Sequence, residues 1–159
     1  MKKLNLEKIK ATLERVPEEF EGMVAQVGFP SGINYEEGTP VAYVATIQEF
    51  GAPEVNIPPR PFMRPTVKAN KHEWTKIIAS RIPKVVMGKM TAFDVLDLVG
   101  ISAAADIQVT ISKVDSPPNS PATIKRKGSS KPLVDTGLMV ASVQNAVNKA
   151  GSDFTAKGG

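Results

Sequence analysis

Chemistry in this 159-residue chain would have to begin from very few side chains. Asp135-Thr-Gly137 is the tripeptide that supplies each carboxylate of an acid-protease pair. That reaction needs two carboxylates sharing one proton, and the chain has a single copy. His72-Glu73 begins like a helical zinc motif, in which histidines one turn apart take the metal. His72 is the only histidine, so the second ligand is missing. Gly128-Ser-Ser-Lys131 ends like a phosphate loop but lacks the leading glycine and the strand before it. There is no cysteine, which excludes disulfides and thiolate metal sites. The residues therefore argue against a small hydrolase, and no catalytic group, cofactor or metal is expected. Asp135 or Thr136 is expected instead to cap a short helix, with Gly137 as a close-packing residue.

Binding is better provided for. Pro58-Pro-Arg-Pro-Phe-Met-Arg-Pro65 is a strap whose prolines hold the backbone extended, so Arg60, Phe62 and Arg64 can engage a partner with little ordering entropy lost. Phe62 is expected to pack inward and both arginines outward, toward acids of this chain or another. Just before it stands Glu49-Phe50-Gly51. Phe50 could anchor a neighbouring subunit while Glu49 pairs an arginine next door. The same residues also suit a helix end whose Phe50 enters its own core and whose Gly51 supplies a left-handed stop. The candidate subunit-interface residues are thus Glu49, Phe50, Arg60, Phe62 and Arg64, and a plain structural linker is the alternative.

The elements that must position them follow from periodicity and punctuation. Residues 4–16 have helical spacing, ended by Pro17. Residues 22–29 are rich in β-formers and read as a strand, followed by a polar loop over 33–38. Thr39-Pro40 opens a helix over Val41–Phe50, with Val41, Val44 and Ile47 on one side and Gly51 as its stop. A helix over Thr66–Val86 turns Trp74, Ile77 and Ile78 to the core, and Pro83 should end or kink it. Thr91 with Asp94 forms a capping box that starts a helix running to about Ser112 through Val95, Leu98, Val99, Ala103 and Ile107. Small residues from Gly100 to Ala105 permit another backbone to approach that helix closely. Residues 122–127 are expected to make one or two helical turns and 133–140 a short helix, with a strand over 142–147. The coarse sum is one α+β domain over residues 1–150, a small antiparallel sheet packed on one face by several helices, and a mobile tail over 151–159.

Net charge is +4. Eight basic residues lie between Arg60 and Lys89 against Glu73 alone, whereas Glu18, Glu19, Glu21, Glu36 and Glu37 gather acid elsewhere. Such separation steers charged partners, or copies of one chain, together. Lys125-Arg-Lys127 could touch DNA phosphates, though no aromatic platform for bases accompanies it. The start is basic without a long apolar run, unlike a secretory signal. No stretch is expected to span a membrane, and the chain is expected to be made in the cytoplasm.

The stretch Tyr43–Gly51, the strap Pro59-Arg-Pro-Phe-Met-Arg-Pro65 and Leu133-Val-Asp-Thr-Gly-Leu138 occur in an order and spacing that resemble one family. It is that of tailed-bacteriophage neck and tail-completion proteins, related to the minor tail component of lambda-like siphophages and the virion-morphogenesis protein of Mu-like phages. The resemblance covers roughly residues 20–147. It implies an α+β subunit without catalysis that forms a ring between portal complex and tail, at the head–tail junction of the virion. The implied partners are copies of itself and other phage neck and tail proteins, with genomic DNA passing through the lumen unheld and no membrane. Leu138-Met-Val140 is apolar where the family usually has a basic or polar residue. A basic nucleic-acid-binding protein and a transient tail-assembly chaperone are the alternatives. Steep salt dependence of DNA affinity would favour the first, and absence from purified particles the second.

Overall fold

The computed structural model describes residues 6–119, 121, 124, 125 and 137–155. The caps expected at Asp135 and Thr136, most of the helical turns expected over 122–127, and Gly128–Lys131 lie outside these residues. The elements in chain order are α1 (Leu6–Phe20), β1 (Met23–Gly28), α2 (Val41–Phe50), a 3-10 turn (Pro53–Val55), α3 (Met63–Val86), α4 (Ala92–Lys113), α5 (Leu138–Ala141) and β2 (Gln144–Lys149). This is the α+β class anticipated from the sequence, with helices packed against a two-stranded antiparallel sheet.

β1 and β2 come from opposite ends of the chain and pair from Met23 with Lys149 to Gly28 with Gln144. A two-stranded ribbon has little stability alone, so its packing against α4 supplies the rest. Alternation puts Ala25, Val27, Asn145 and Val147 on one face. Gly100 is what lets α4 come close to that face. A Cβ there would lie 3.0 Å from Asn145, whose amide donates to Asp97 Oδ1 at 2.7 Å. The small-residue centre expected of α4 therefore receives the sheet.

α3 and α4 form an antiparallel pair. The hydroxyls of Thr66 and Thr110 lie 2.7 Å apart, and Trp74 Nε1 donates to Asp106 Oδ2 at 2.8 Å. The main core joins Val41 and Ala45 of α2, Phe62, Ala104, Ile107 and Ile111 of α4, Met139 of α5, and Val143. A smaller cluster of Val16, Val85 and Val95 ties α1 to the far end of the α3–α4 pair. The Thr91–Asp94 capping box forms as anticipated: each main-chain N–H is taken by the other's side chain.

Several local expectations are corrected. α1 continues through Pro17 to Phe20, and α3 starts at Met63 rather than Thr66 but ends at Val86 as expected, with Pro83 inside it. Both prolines sit in the last turns on exposed positions, where water can take the carbonyl each ring leaves without its helical donor. α2 is capped by Pro40 rather than Thr39, and its first N–H, on Val41, donates to Ile33 O at 3.0 Å. Leu98, expected in the core, is exposed. The tail expected to be mobile from 151 is held as far as Thr155. Ser31 N–H donates to Phe154 O at 2.9 Å and Gln26 Nε2 to Ser152 O at 3.1 Å. α4 is long and apolar enough to cross a membrane, with mean hydropathy 1.4, contrary to the expectation that no stretch is. Here it packs on α3 and both strands.

Candidate subunit interface

α2 runs over the bounds expected from the sequence, but its buried stripe is Val41, Ala45 and Glu49, one turn apart each, not Val41 with Val44 and Ile47. The helix stops at Gly51, whose φ of 77° and ψ of 173° suit glycine alone. The chain then makes a tight loop in which Ala52 and Ile57 exchange both main-chain hydrogen bonds, at 2.8 and 3.0 Å. Beyond it Arg60 N–H donates to Gln48 O at 2.6 Å, which lays the strap beside the last turn of α2. The strap is shorter than expected: Met63, Arg64 and Pro65 form the first turn of α3. Pro65 fits there because first-turn N–H groups have no intrahelical acceptor to lose.

Those N–H groups are satisfied from another helix. α3 has no acid in its first turn and no side-chain cap at Phe62. The Glu49 carboxylate, only 5% exposed, fills both roles. Its Oε2 accepts from the N–H groups of Phe62 and Met63 at 2.7 and 2.9 Å, and its Oε1 from Arg64 N–H at 3.1 Å. Arg64 Nε adds a charged bond to Oε1 at 2.8 Å, and Arg64 Nη2 donates to the Glu49 carbonyl at 3.1 Å. Burial alone would raise the Glu49 pKa. The hydrogen bonds from the Arg64 side chain and from the Met63, Phe62 and Arg64 amides outweigh it and hold the carboxyl below its ordinary value. Glu49 therefore pairs an arginine of its own chain, the within-chain alternative for the strap arginines.

Arg60 also departs from expectation by pointing inward. It is buried, donating from Nε to Pro117 O at 2.6 Å, from Nη2 to Pro118 O at 3.0 Å and from Nη1 to Gln48 Oε1 at 3.1 Å. No carboxylate pairs with it among the described residues, and burial pushes its pKa down. Its fork thus ties the strap to the segment after α4. A lysine has one donor centre and cannot span three acceptors. Arg60→Lys is expected to cost about 2 kcal/mol, from one or two hydrogen bonds between the charged guanidinium and neutral acceptors lost with their partners still buried. An unchanged midpoint in urea denaturation would refute this role.

Phe62 packs inward as anticipated, edge-on to Phe29 with ring centroids 5.8 Å apart. Of the five expected interface residues, Phe50 and Arg64 remain on the surface, with 61% of Phe50 and 61% of the Arg64 side chain exposed. They touch each other: the guanidinium carbon lies 4.9 Å from the Phe50 ring centre, a cation–π stack. Between them and α2 opens a mainly apolar groove of about 260 Å³, floored by Ala45, Phe29 and Phe62 and walled by Phe50, Met63 and Arg64. Ala42, Thr46 and the Glu49 carboxylate complete it. Sequence reasoning missed this groove and the exposure of Tyr43 and Val55. The one signal for it was the Val41–Ala45–Glu49 stripe, which puts a carboxylate in line with buried apolar positions.

Of the residues first inspected for chemistry, Asp135, Thr136 and Gly128–Lys131 lie outside the described residues. His72 is exposed on α3, and Gly137 precedes α5 with φ 78°. No group of acidic or histidine side chains able to hold a metal occurs among the described residues. Comparisons with family models, curated proteins and solved structures each returned no match to this chain.

Proposed function

We propose that this chain is a structural subunit of a tailed-phage neck: a tail-completion protein that closes a homo-oligomeric ring between head connector and tail. The observation that carries the reading is the Phe50–Arg64 stack beside an apolar groove. An exposed aromatic stacks on a guanidinium that a buried carboxylate holds, within two of the three motifs that carry the resemblance. Aromatic and arginine side chains fixed before binding are the residues that dominate protein interfaces.

The work of such a subunit is geometric, without catalysis, cofactor or metal. Each copy offers the α2 corner to the next in a head-to-tail contact, and the rotation per copy decides closure. The ring is assembled in the host cytoplasm, resides at the head–tail junction and meets other neck and tail proteins. It passes genomic DNA through its lumen without specific binding and touches no membrane.

Phe50→Asp tests this directly. Because Phe50 is outside the core, its thermal midpoint should stay within a few degrees of wild type, as for surface substitutions generally. Light scattering should show the multimer replaced by monomer, and complemented phage should yield heads without joined tails. Wild-type protein that stays monomeric and is missing from the junction of complete particles would refute the assignment.

A further inference from the structure

Resting on that reading for the identity of the second copy, we propose that the groove receives the Pro53–Val55 loop of a neighbouring chain, with Val55 in the groove and Glu54 against Arg64. The loop is built to project. Its ends are clamped by the reciprocal Ala52–Ile57 bonds, Asn56 takes a left-handed conformation with φ 57°, and Val55 at the tip is 61% exposed. It does not line the groove of its own chain. An exposed valine on a stiff loop loses little entropy when it is buried elsewhere. The groove could hold roughly eight waters at about 30 Å³ each, so a docked valine would displace several from apolar walls.

Charge complementarity selects a copy of this chain as the occupant. Glu54 is exposed and makes no hydrogen bond or ion pair among the described residues. Arg64 commits Nε and Nη2 to Glu49 and turns the rest of its guanidinium outward over Phe50. One chain thus carries an apolar knob with an acid beside it and a mainly apolar socket where Arg64, already paired with Glu49, keeps part of its guanidinium for a second acid. Knob and socket are different surfaces, so the contact is heterologous and repeats from copy to copy, as a ring requires.

The absence of cysteine makes disulfide trapping a clean test. Val55→Cys and Thr46→Cys chains, made separately and mixed under mild oxidation, should form a linked pair. The double variant should give a ladder of linked multimers. Glu54→Lys, which removes no contact within the chain, should weaken association at least tenfold by facing Arg64 with a like charge, and leave melting unchanged. Three results would overturn the knob-in-groove contact while the neck assignment stands: no trapping in a wild-type background that still multimerises, a disulfide within one chain, or Val55→Cys alone linking as readily as the mixture. Thr46→Cys trapping a different neck protein in particles, in place of this chain, would overturn it too. Monomeric wild type with no trapping would defeat both proposals.

Discussion

Glu49→Ala is expected to destabilise the protein by about 3–5 kcal/mol, a large share of the 5–15 kcal/mol that holds a typical domain folded. The loss comes from several sources acting together. Three first-turn amides of α3 lose their acceptor, the Arg64 side chain loses its counter-charge, and a void opens against Phe62. Each hydrogen bond to a charged group is worth about 1.5–3 kcal/mol, and the amides cannot all regain water beneath α2. Glu49→Gln keeps the shape but turns an amide donor toward N–H groups, so it should retain only part of the stability. The check is the urea midpoint at constant slope. A change below about 1 kcal/mol for the alanine variant would sink the cap role.

The same residue sets a pH dependence. Its folded pKa lies below the ordinary 4.5, so its contribution is fully present above the unfolded value and disappears as pH falls through the folded one. Wild-type stability should therefore decline below roughly pH 4.5. Glu49→Gln should decline less steeply over that window, keeping the slope from Glu73 and Asp94, whose pKa values are also lowered by hydrogen bonds, from Lys76 and Thr91 respectively. Because Arg64 is held over Phe50 partly by this carboxylate, acid should loosen the exposed stack before it unfolds the core.

Gly51→Ala is the second large effect. In most loops a glycine-to-alanine change is mild, or stabilises by about 0.4–1 kcal/mol by restricting the unfolded chain. Here φ of 77° with ψ of 173° lies in a region open only to glycine, which costs about 1–3 kcal/mol for any other residue. The new Cβ would also stand 2.9 Å from Ile57 O and from Pro59 N, and 3.0 Å from Pro59 Cδ. These are backbone and ring atoms that cannot swing aside, and such overlap costs about another 1–3 kcal/mol. The combined 2–6 kcal/mol exceeds the entropic gain several-fold. It should appear as a lower thermal midpoint, with association lost as well, because the loop bearing Glu54 and Val55 starts at this residue. A variant as stable as wild type would mean that the loop closes differently.

These two residues show how unequally the sequence discloses the site. Gly51 was legible as a stop, since a glycine after an apolar run is a local signal. Glu49 was singled out as an acid that pairs an arginine, but not as the cap of another helix. Its partners are the start of α3, 13 to 15 residues on, reached only because the loop folds the chain back. Arg60 was misjudged the same way. Next to prolines it reads as outward-facing, and only the arrival of Pro117 and Pro118 from beyond α4 provides the carbonyls that draw it in.

The sequence by itself determined whatever is decided within a few residues: α2 with its glycine stop, the Thr91–Asp94 box, the β character of 22–29, the α+β class, and the exclusion of thiol chemistry. The tertiary structure alone decided what depends on separated segments. It pairs β1 with β2 across more than a hundred residues and lets α1 run through Pro17 to Phe20. It also sorts five similar-looking candidates into three buried supports and two exposed side chains. The reason is one of range. Caps, stops and periodicity are energies of neighbouring residues, whereas burial and hydrogen-bond partners are assigned only when distant segments compete for the same space.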